Sequence, residues 1–249
     1  MQKSLIIGNS HIVLHKTAST NQYLSEWARK KVIAEGTVVR AINQTQGRGQ
    51  KGTQWYSTPD ESLTFSLYLI PDFLPIDQQF FLNMAICNGI ISCFKQFFDQ
   101  PQIKWPNDIF LNKKKCGGIL IENSISHGYI SSSVVGIGIN LNQKAFPNDL
   151  PFATSLFMQT QLHFSPDDFL LNLCQHLDIE YRQLREGKME QIQKCYLGHL
   201  FGLNNEQRFR NESGEFIGII KGITQAGLLV VQNGYTEKQY ALKEIQFVF

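Results

Sequence analysis

The sequence of 249 residues predicts an α+β fold, in which helices flank a mixed, largely antiparallel sheet and a small β-barrel follows. Strand-like segments at 103–105, 109–111 and 116–122 are separated by turns too short for a parallel crossover, so these strands must pair as hairpins. Apolar residues dominate 76–98, as expected of a long buried helix. From about residue 200 the pattern changes to short strands split by turns that contain glycine.

Two domains are expected, a main domain over residues 1–199 and a small one over 200–249. The small domain has turn signals at 212–214, 226–227 and Asn233-Gly234, and the last of these is a strong hairpin signal. About fifty residues of this kind predict a compact β-barrel.

The other elements follow from periodicity and capping. Residues 62–69 alternate between apolar and polar side chains and predict a strand. Ser19-Thr20-Asn21 and Ser165-Pro166-Asp167 each offer an N-cap for a helix. Further strands are expected at 11–14, 37–42 and 129–141, and the two capped helices should reach about residues 32 and 184.

Charge and hydropathy disfavour several functions. A net charge of +2 gives no basic surface at the level of totals, so DNA binding is not expected. The first residues hold an apolar run too short for a signal peptide, so a cytoplasmic location is expected. Polar residues such as Asn83 and Asn88 interrupt the apolar stretch 80–98, which therefore predicts a buried helix and not a membrane span.

Cysteine and histidine residues give no sign of a metal site. The five cysteines form no CxxC pair and mostly lie in apolar segments, so reduced thiols in the core are expected. The six histidines show no HExxH spacing, and no transition metal held by the protein is predicted.

A glycine-rich loop over 43–54 matches the dinucleotide-binding pattern at Gly47, Gly49 and Gly52. That pattern requires a helix to begin at the third glycine, yet residues 55–59 lead directly into a strand. The loop is therefore predicted to wrap an anion with its backbone amides, while Arg48 and Lys51 supply positive charge. A solvated surface loop is the alternative.

Five motifs together carry a family resemblance. They are Ser19-Thr20-Asn21-Gln22, the loop 47–55, Lys104-Trp105-Pro106-Asn107-Asp108, the segment 115–122 that begins Lys115-Cys116-Gly117-Gly118-Ile119-Leu120, and Gly136-Ile137-Gly138-Ile139-Asn140. Their order and content resemble the biotin protein ligases, of the monofunctional type without an N-terminal winged helix. The resemblance extends from about residue 10 to the C-terminal barrel.

The resemblance implies a catalytic domain similar to class II aminoacyl-tRNA synthetases, followed by an SH3-like barrel. It implies an enzyme that uses ATP and Mg²⁺ to convert biotin to biotinyl-5'-AMP and pyrophosphate. The biotin would then pass to the acceptor lysine of a biotin carboxyl carrier domain in a biotin-dependent carboxylase. No DNA or membrane partner is implied, and homodimerisation is left open.

The chemistry of acyl activation independently requires some of these residue types. Attack of a carboxylate on the α-phosphorus of ATP accumulates negative charge, which cations and amides must meet. Lys115 is predicted to be the main cation, with Arg48 and the amide of Gly49 beside it and Mg²⁺ bridging phosphates. Asp108 is predicted to orient or deprotonate the acceptor amine. The alternatives are a solvated lysine at 115 and a simple turn at Asn107-Asp108.

By resemblance, a set of polar residues contacts the head of biotin: Ser19, Thr20, Asn21 and Gln44. Trp55 is expected to pack on the adenine, and Asn140 to line the nucleotide pocket. The other predicted binding residues are Gly47, Gly49, Gln50, Lys104, Asn107, Gly118, Ile119 and Gly138. The family commonly has an arginine where this chain has Gln50, so a charged contact to the adenylate is expected to be lost.

Three other functions compete with this one. Lipoate and octanoate ligases share the fold and reaction type, but they lack this combination of motifs. A non-enzymatic biotin sensor would not need both Lys115 and Asp108. A nucleic-acid binder that uses the terminal barrel would need a basic aromatic surface, which the sequence does not show.

Overall fold

A computed structural model describes residues 5–249, apart from the side chain of Lys51. The main sheet has seven strands in the spatial order β1-β2-β3-β7-β6-β5-β4. The strands are β1 (Ser10–Thr17), β2 (Thr37–Gln44), β3 (Ser62–Leu69), β4 (Gln102–Lys104), β5 (Asp108–Leu111), β6 (Lys114–Ser126) and β7 (Tyr129–Asn140).

The sheet is mixed, as predicted. β1 and β2 are parallel because the helix α1 (Thr20–Lys30) connects them, whereas the other neighbouring strands pair antiparallel. The two hairpins that the short turns require, β4 with β5 and β5 with β6, are both present. The prediction of a largely antiparallel sheet flanked by helices is therefore confirmed.

Helices cover both faces of the sheet. The other helices are α2 (Phe80–Phe94), α3 (Leu156–Thr160), α4 (Pro166–Arg185) and α5 (Met189–Gly198). α2 is buried almost all round because it packs against α4, α5 and the sheet, which explains its uniformly apolar sequence. α1 lies against the opposite side, where Leu24 packs with Val39 and Val134.

The helices differ from the sequence-based expectation in three places, of which one is the short helix α3, which was not predicted. The predicted helix over 76–98 is a 3₁₀ turn at Ile76–Gln78 followed by α2, which ends at Phe94. The sequence pattern did not reveal α5, whose only buried residues, Ile192 and Tyr196, lie one turn apart. So narrow an apolar stripe gives a weak periodic signal.

The C-terminal part forms a second sheet of five antiparallel strands in the order β11-β10-β9-β8-β12. They are β8 (Glu206–Asn211), β9 (Gly214–Ile223), β10 (Leu229–Asn233), β11 (Thr236–Tyr240) and β12 (Gln246–Phe247). The predicted turns at 212–214, 226–227 and 233–234 separate these strands. Within the described chain β11 and β12 are the edges of this sheet, so it is not a closed barrel of paired strands.

The two sheets are in contact. The indole Nε1 of Trp105 donates to the carbonyl of Gly227 at 2.9 Å, and the amide of Phe201 donates to Ile103 at 2.8 Å. The residues that follow α5, Leu200 and Phe201, therefore pair with the outer edge of β4. The domain boundary between residues 199 and 200 stays a prediction.

The cysteines lie where the sequence suggested. All five are free, and four are buried. Burial raises the pKa of the Cys93 and Cys174 thiols to about 12. None of the described helices is both long and apolar enough to span a membrane.

Glu180 is a buried carboxyl group in α4. Burial raises its pKa, and a hydrogen bond with Asn88 opposes this shift only in part. A group whose pKa is higher in the folded protein than in the unfolded chain does not reduce the free energy of unfolding at a pH below both values. Stability is lost as pH rises through the pKa of the folded protein, because the buried group then becomes charged. Glu180→Gln should therefore raise the melting temperature by a few degrees at pH 7. The new amide group is also a possible hydrogen-bond donor to Asn88 Oδ1, which lacks a partner among the described atoms. Thermal unfolding at pH 7 and pH 4 checks this, because the gain that arises from charge should shrink at pH 4. The exposed Glu212→Gln is the control, and a gain independent of pH would contradict the explanation.

Candidate active site

Asp108 lies between two ammonium groups in a cavity of about 480 Å³. Nζ of Lys115 lies 2.6 Å from Asp108 Oδ1, and Nζ of Lys104 lies 3.7 Å from Oδ2. Strand register explains the arrangement, since Lys104 is opposite Asp108 across β4 and β5, and Asp108 is opposite Gly118 of β6. Antiparallel pairing thus brings the lysines of two separate motifs to one carboxylate.

The two lysines differ in exposure. The side chain of Lys104 is 20% exposed and that of Lys115 is 39% exposed. Burial lowers the pKa of Lys104, and attraction to Asp108 opposes this shift only in part. Lys115 is therefore the more accessible cation, whereas the Lys104 side chain is less exposed to solvent.

The turn that carries Asp108 is fixed by hydrogen bonds on several sides. Tyr196 Oη donates to the carbonyl of Pro106 at 2.9 Å. The Asn107 side chain donates to the carbonyl of Ile119, and the Ile119 amide donates back to Asn107 at 3.2 Å. Asn107 and Ile119 both line the cavity, but the Asn107 amide group is already used to join the turn to β6.

Trp55 covers the region between Lys115 and β7. Nζ of Lys115 lies 5.7 Å from the centre of the Trp55 ring, a cation–π contact. A Cβ at Gly138 would lie 2.7 Å from Trp55 Nε1, so only glycine leaves room for the indole against the strand. Trp55 Nε1 is buried and has no hydrogen-bond partner among the described residues. A ligand could reach this donor only if the indole moved away from β7.

A second pocket of about 30 Å³ contains the residues that were expected to contact the head of biotin. Its lining includes Ser19, Thr20, Asn21, Gln44, Arg48 and Gly136. Gln44 Oε1 accepts from the amide of Thr20 at 2.9 Å, and Asn21 Nδ2 donates to Glu122 at 2.8 Å. The buried Ser66 hydroxyl lies 2.6 Å from Asn21 Oδ1. These bonds fix the direction in which each polar group points.

Ser19 also caps α1, since its side chain accepts from the amide of Gln22 at 3.5 Å. Both interpretations of the Ser19-Thr20-Asn21 segment are therefore compatible with its position. Arg48 lines this pocket and the larger cavity, and its Nη2 donates to Gln22 Oε1 at 3.0 Å. Arg48 thus connects the two pockets.

The glycine loop closes on itself. The amide of Trp55 donates to Gly47 at 3.0 Å, and the amide of Gly49 donates to Thr53 at 2.8 Å. A Cβ at Gly47 would overlap the Trp55 carbonyl oxygen. Because the Gly49 amide is engaged, the loop must rearrange before that group can bind phosphate. Gln50 lines the larger cavity, whereas the side chain of Lys51 lies outside the described part of the structure.

Asn140 lies outside both pockets. It is buried, its Nδ2 donates to the carbonyl of Thr154 at 2.9 Å, and its Oδ1 accepts from Gln143 at 3.2 Å. These contacts orient the loop that follows β7, so the structure gives Asn140 a local role at the end of the strand.

Several residues of the site were not predicted from the sequence. Ser66 and Glu122 orient Asn21, and the segment 242–247 of the C-terminal part lines the larger cavity. No sequence signal identified Ser66, because the alternation over 62–69 does not reveal that both faces of its strand are buried. The segment 242–247 has no such signal either, because only the packing of the two sheets brings it to the cavity.

Residues 13–140 match the model of the biotin/lipoate A/B protein ligase family. The chain belongs to this family. The match covers about half of the 249 residues and includes all five motifs. It does not include the start of β1 or the C-terminal sheet.

Curated members of the family align over most of the chain. The bifunctional ligase/repressor BirA of Bacillus subtilis is 28% identical over 250 residues, which cover 98% of this chain and 76% of that protein. The biotin--[acetyl-CoA-carboxylase] ligase of Paracoccus denitrificans is 28% identical over 228 residues, or 88% of this chain and 93% of that protein.

Solved structures of the family have the same fold. The biotin protein ligase of Aquifex aeolicus, in complex with biotin and ATP, superposes with a TM-score of 0.80 at 24% identity. The match covers 96% of this chain and 99% of that one. The likeness therefore includes the C-terminal sheet as well as the main sheet, and it confirms the predicted ligase-like fold.

Gly136 makes room for the polar pocket. A Cβ at this position would lie 2.9 Å from Asn21 Cγ and would overlap Asn21 Oδ1. Gly136→Ala should therefore displace Asn21 and weaken biotin binding at least about tenfold, the cost of one misplaced charged or buried hydrogen bond. Calorimetric titration with biotin checks the prediction. Gly198→Ala, where nothing lies within 4 Å of the added methyl group, is the control, and unchanged affinity in Gly136→Ala would count against the assignment of this pocket.

Proposed function

We propose that this protein is a biotin protein ligase. It is an ATP-dependent enzyme that converts biotin and ATP to biotinyl-5'-AMP and pyrophosphate. It then transfers the biotinyl group to the acceptor lysine of a biotin carboxyl carrier domain. The observation that carries the proposal is a carboxylate held between two ammonium groups, in a cavity that Arg48 connects to a small polar pocket.

The relatives support this function. Those of Paracoccus denitrificans and Mycobacterium tuberculosis are both named biotin--[acetyl-CoA-carboxylase] ligase. The biotin protein ligase of Aquifex aeolicus has been solved with biotin and ATP, and that of Leishmania major with biotinyl-5-AMP. The substrates proposed for this chain are therefore biotin and ATP.

The small pocket suits the head of biotin. A ureido ring offers two N–H donors and one carbonyl acceptor, and it needs directed polar partners in a mostly apolar wall. Gln44, Thr20 and Ser19 supply such groups, while Phe65 and Ile137 supply apolar surface. A lipoyl or octanoyl chain has no ureido group, so these polar residues favour biotin within the family.

In the first step a biotin carboxylate oxygen attacks the α-phosphorus of ATP, and pyrophosphate leaves. Lys115 is proposed to meet the negative charge, since its side chain is 39% exposed and could exchange Asp108 for a substrate oxygen. Arg48 supplies a second cation at the junction of the two pockets. Trp55 is proposed to shield this region from water, since its ring lies 5.7 Å from Lys115 Nζ.

In the second step the nitrogen of the acceptor lysine attacks the acyl carbon, an amide bond forms and AMP leaves. The attacking amine must first lose a proton. Asp108 is proposed to accept that proton once Lys115 has turned to the substrate, and to pass it on to solvent. Lys104 then remains as the counter-ion of Asp108.

Magnesium is proposed to enter with the nucleotide. Asp108 is the only carboxylate in the described lining of the larger cavity, and both of its oxygens face ammonium groups. The described residues also contain no cluster of three metal-binding side chains. Mg²⁺ that entered with ATP would neutralise phosphate charge, and Asp108 would be the carboxylate of the cavity available to it.

Replacement of Lys115 tests the reaction. Lys115→Ala should lower the transfer of labelled biotin to a purified carrier domain by about 100-fold to 1000-fold, because one preorganised positive charge is lost. The assay contains ATP and Mg²⁺, and the neighbouring exposed Lys114→Ala serves as the control. Tight biotin binding by the wild type without any transfer would favour a sensor, and transfer of lipoate or octanoate in place of biotin would favour the other branch of the family.

Gln50 allows a test of adenylate retention. Gln50→Arg should slow the dissociation of preformed biotinyl-5'-AMP, because it adds a charged hydrogen bond within the cavity. One such contact is worth about a tenfold change in rate. Release of labelled adenylate from the two proteins is compared by filtration. Equal rates would show that Gln50 does not limit retention.

A further inference from the structure

The ammonium group of Lys104 lies against the faces of two aromatic rings. Its Nζ lies 5.6 Å from the centre of the Phe110 ring and 5.1 Å from the centre of the Phe247 ring. Phe110 belongs to β5 of the main sheet, next to Asp108, whereas Phe247 belongs to β12 at the end of the chain. The nearer of the two rings therefore comes from the C-terminal sheet.

The C-terminal sheet holds Phe247 in place. β12 pairs with β8, with Phe247 opposite Phe209, and the two ring centres are 5.0 Å apart. The Phe249 ring stacks on Phe247 at 6.2 Å with an interplanar angle of 15°. Contacts on two sides fix the ring face that Lys104 meets.

Lys104 depends on this ring more than an exposed lysine would. Its ammonium group has lost most of its water, which is why burial lowers the pKa of Lys104. An aromatic face returns part of the lost electrostatic stabilisation and is strongest where the cation is desolvated. A leucine of similar bulk offers no such face.

We propose that Phe247 is a positioning residue of the reaction, which holds the Lys104 ammonium group between Asp108 and the phosphate-bearing substrate. The proposal rests on the ligase function proposed above. The C-terminal sheet thus acts on catalysis through one cation–π contact. While Lys115 turns to the substrate, Lys104 stays in place and balances the charge of Asp108, which would otherwise be left buried without a partner.

The test is a double-mutant cycle on the first step. Exchange of labelled pyrophosphate into ATP, dependent on biotin, is measured for the wild type, Phe247→Leu, Lys104→Met and the double variant. Phe247→Leu should lower kcat/KM for ATP by between about twofold and thirtyfold, the range expected for a cation–π contact. In the Lys104→Met background Phe247→Leu should cause no further loss, because the residue acts through Lys104.

Two further variants separate positioning from folding. Phe247→Tyr keeps the ring and should retain the wild-type kcat/KM. Trifluorophenylalanine at position 247 keeps the shape but withdraws charge from the ring face, so it should reproduce the loss even if Phe247→Leu does not fold. Tyr235→Leu removes an exposed aromatic ring elsewhere in the C-terminal part and should leave the exchange unchanged.

Each outcome decides the proposal. Wild-type exchange in the fluorinated variant, or an equal loss from Phe247→Leu with and without Lys104, would overturn the role of Phe247 while leaving the ligase function intact. Absence of exchange in the wild type would instead overturn the ligase function itself. Loss in the fluorinated variant, together with no further loss in the double variant, would support the positioning role.

Discussion

The site depends on one buried electrostatic constraint, which is that Asp108 must remain paired with positive charge. A carboxylate removed from water is costly unless its oxygens are satisfied, and here Lys115 and Lys104 each meet one oxygen. That geometry requires a fixed Pro106-Asn107 turn. Tyr196 of α5 donates a hydrogen bond to the Pro106 carbonyl, and the Asn107 side chain donates one to β6. The helices that cover the sheet therefore serve the site by holding this turn.

Close approach of strands and side chains is the second constraint. Gly136 and Gly138 are on the same face of β7, and each leaves space that a larger residue would fill, the first for Asn21 and the second for Trp55. One short strand segment thus shapes the polar pocket and the neighbouring aromatic wall together. The network behind Asn21, through Glu122, then orients the pocket without lining it.

Much of the fold followed from local pattern. The strand at Ser62–Leu69 was predicted at its observed bounds, because alternation of side chains is a property of the strand itself. The hairpins around Asp108 followed from turn length alone. The helix α5 was missed because its apolar stripe is narrow, and the end of α2 was misplaced because apolar residues continue beyond the last helical turn. Asn140 was expected to line the nucleotide pocket, but its side-chain amide bonds to Thr154 and Gln143. A sequence motif does not reveal such contacts.

By itself the sequence determined the chemistry that is available: a lysine, an arginine and a carboxylate in motifs with short, rigid turns, and glycines at fixed intervals. These are local properties, set by backbone geometry within a few residues. The structure showed that Lys104 shares Asp108 with Lys115, through the register of two hairpins. The tertiary structure alone decided that Phe247, from the far end of the chain, lies against Lys104. The Lys104–Phe247 and Trp105–Gly227 contacts join residues more than a hundred positions apart, and only the packing of the two sheets determines their distances.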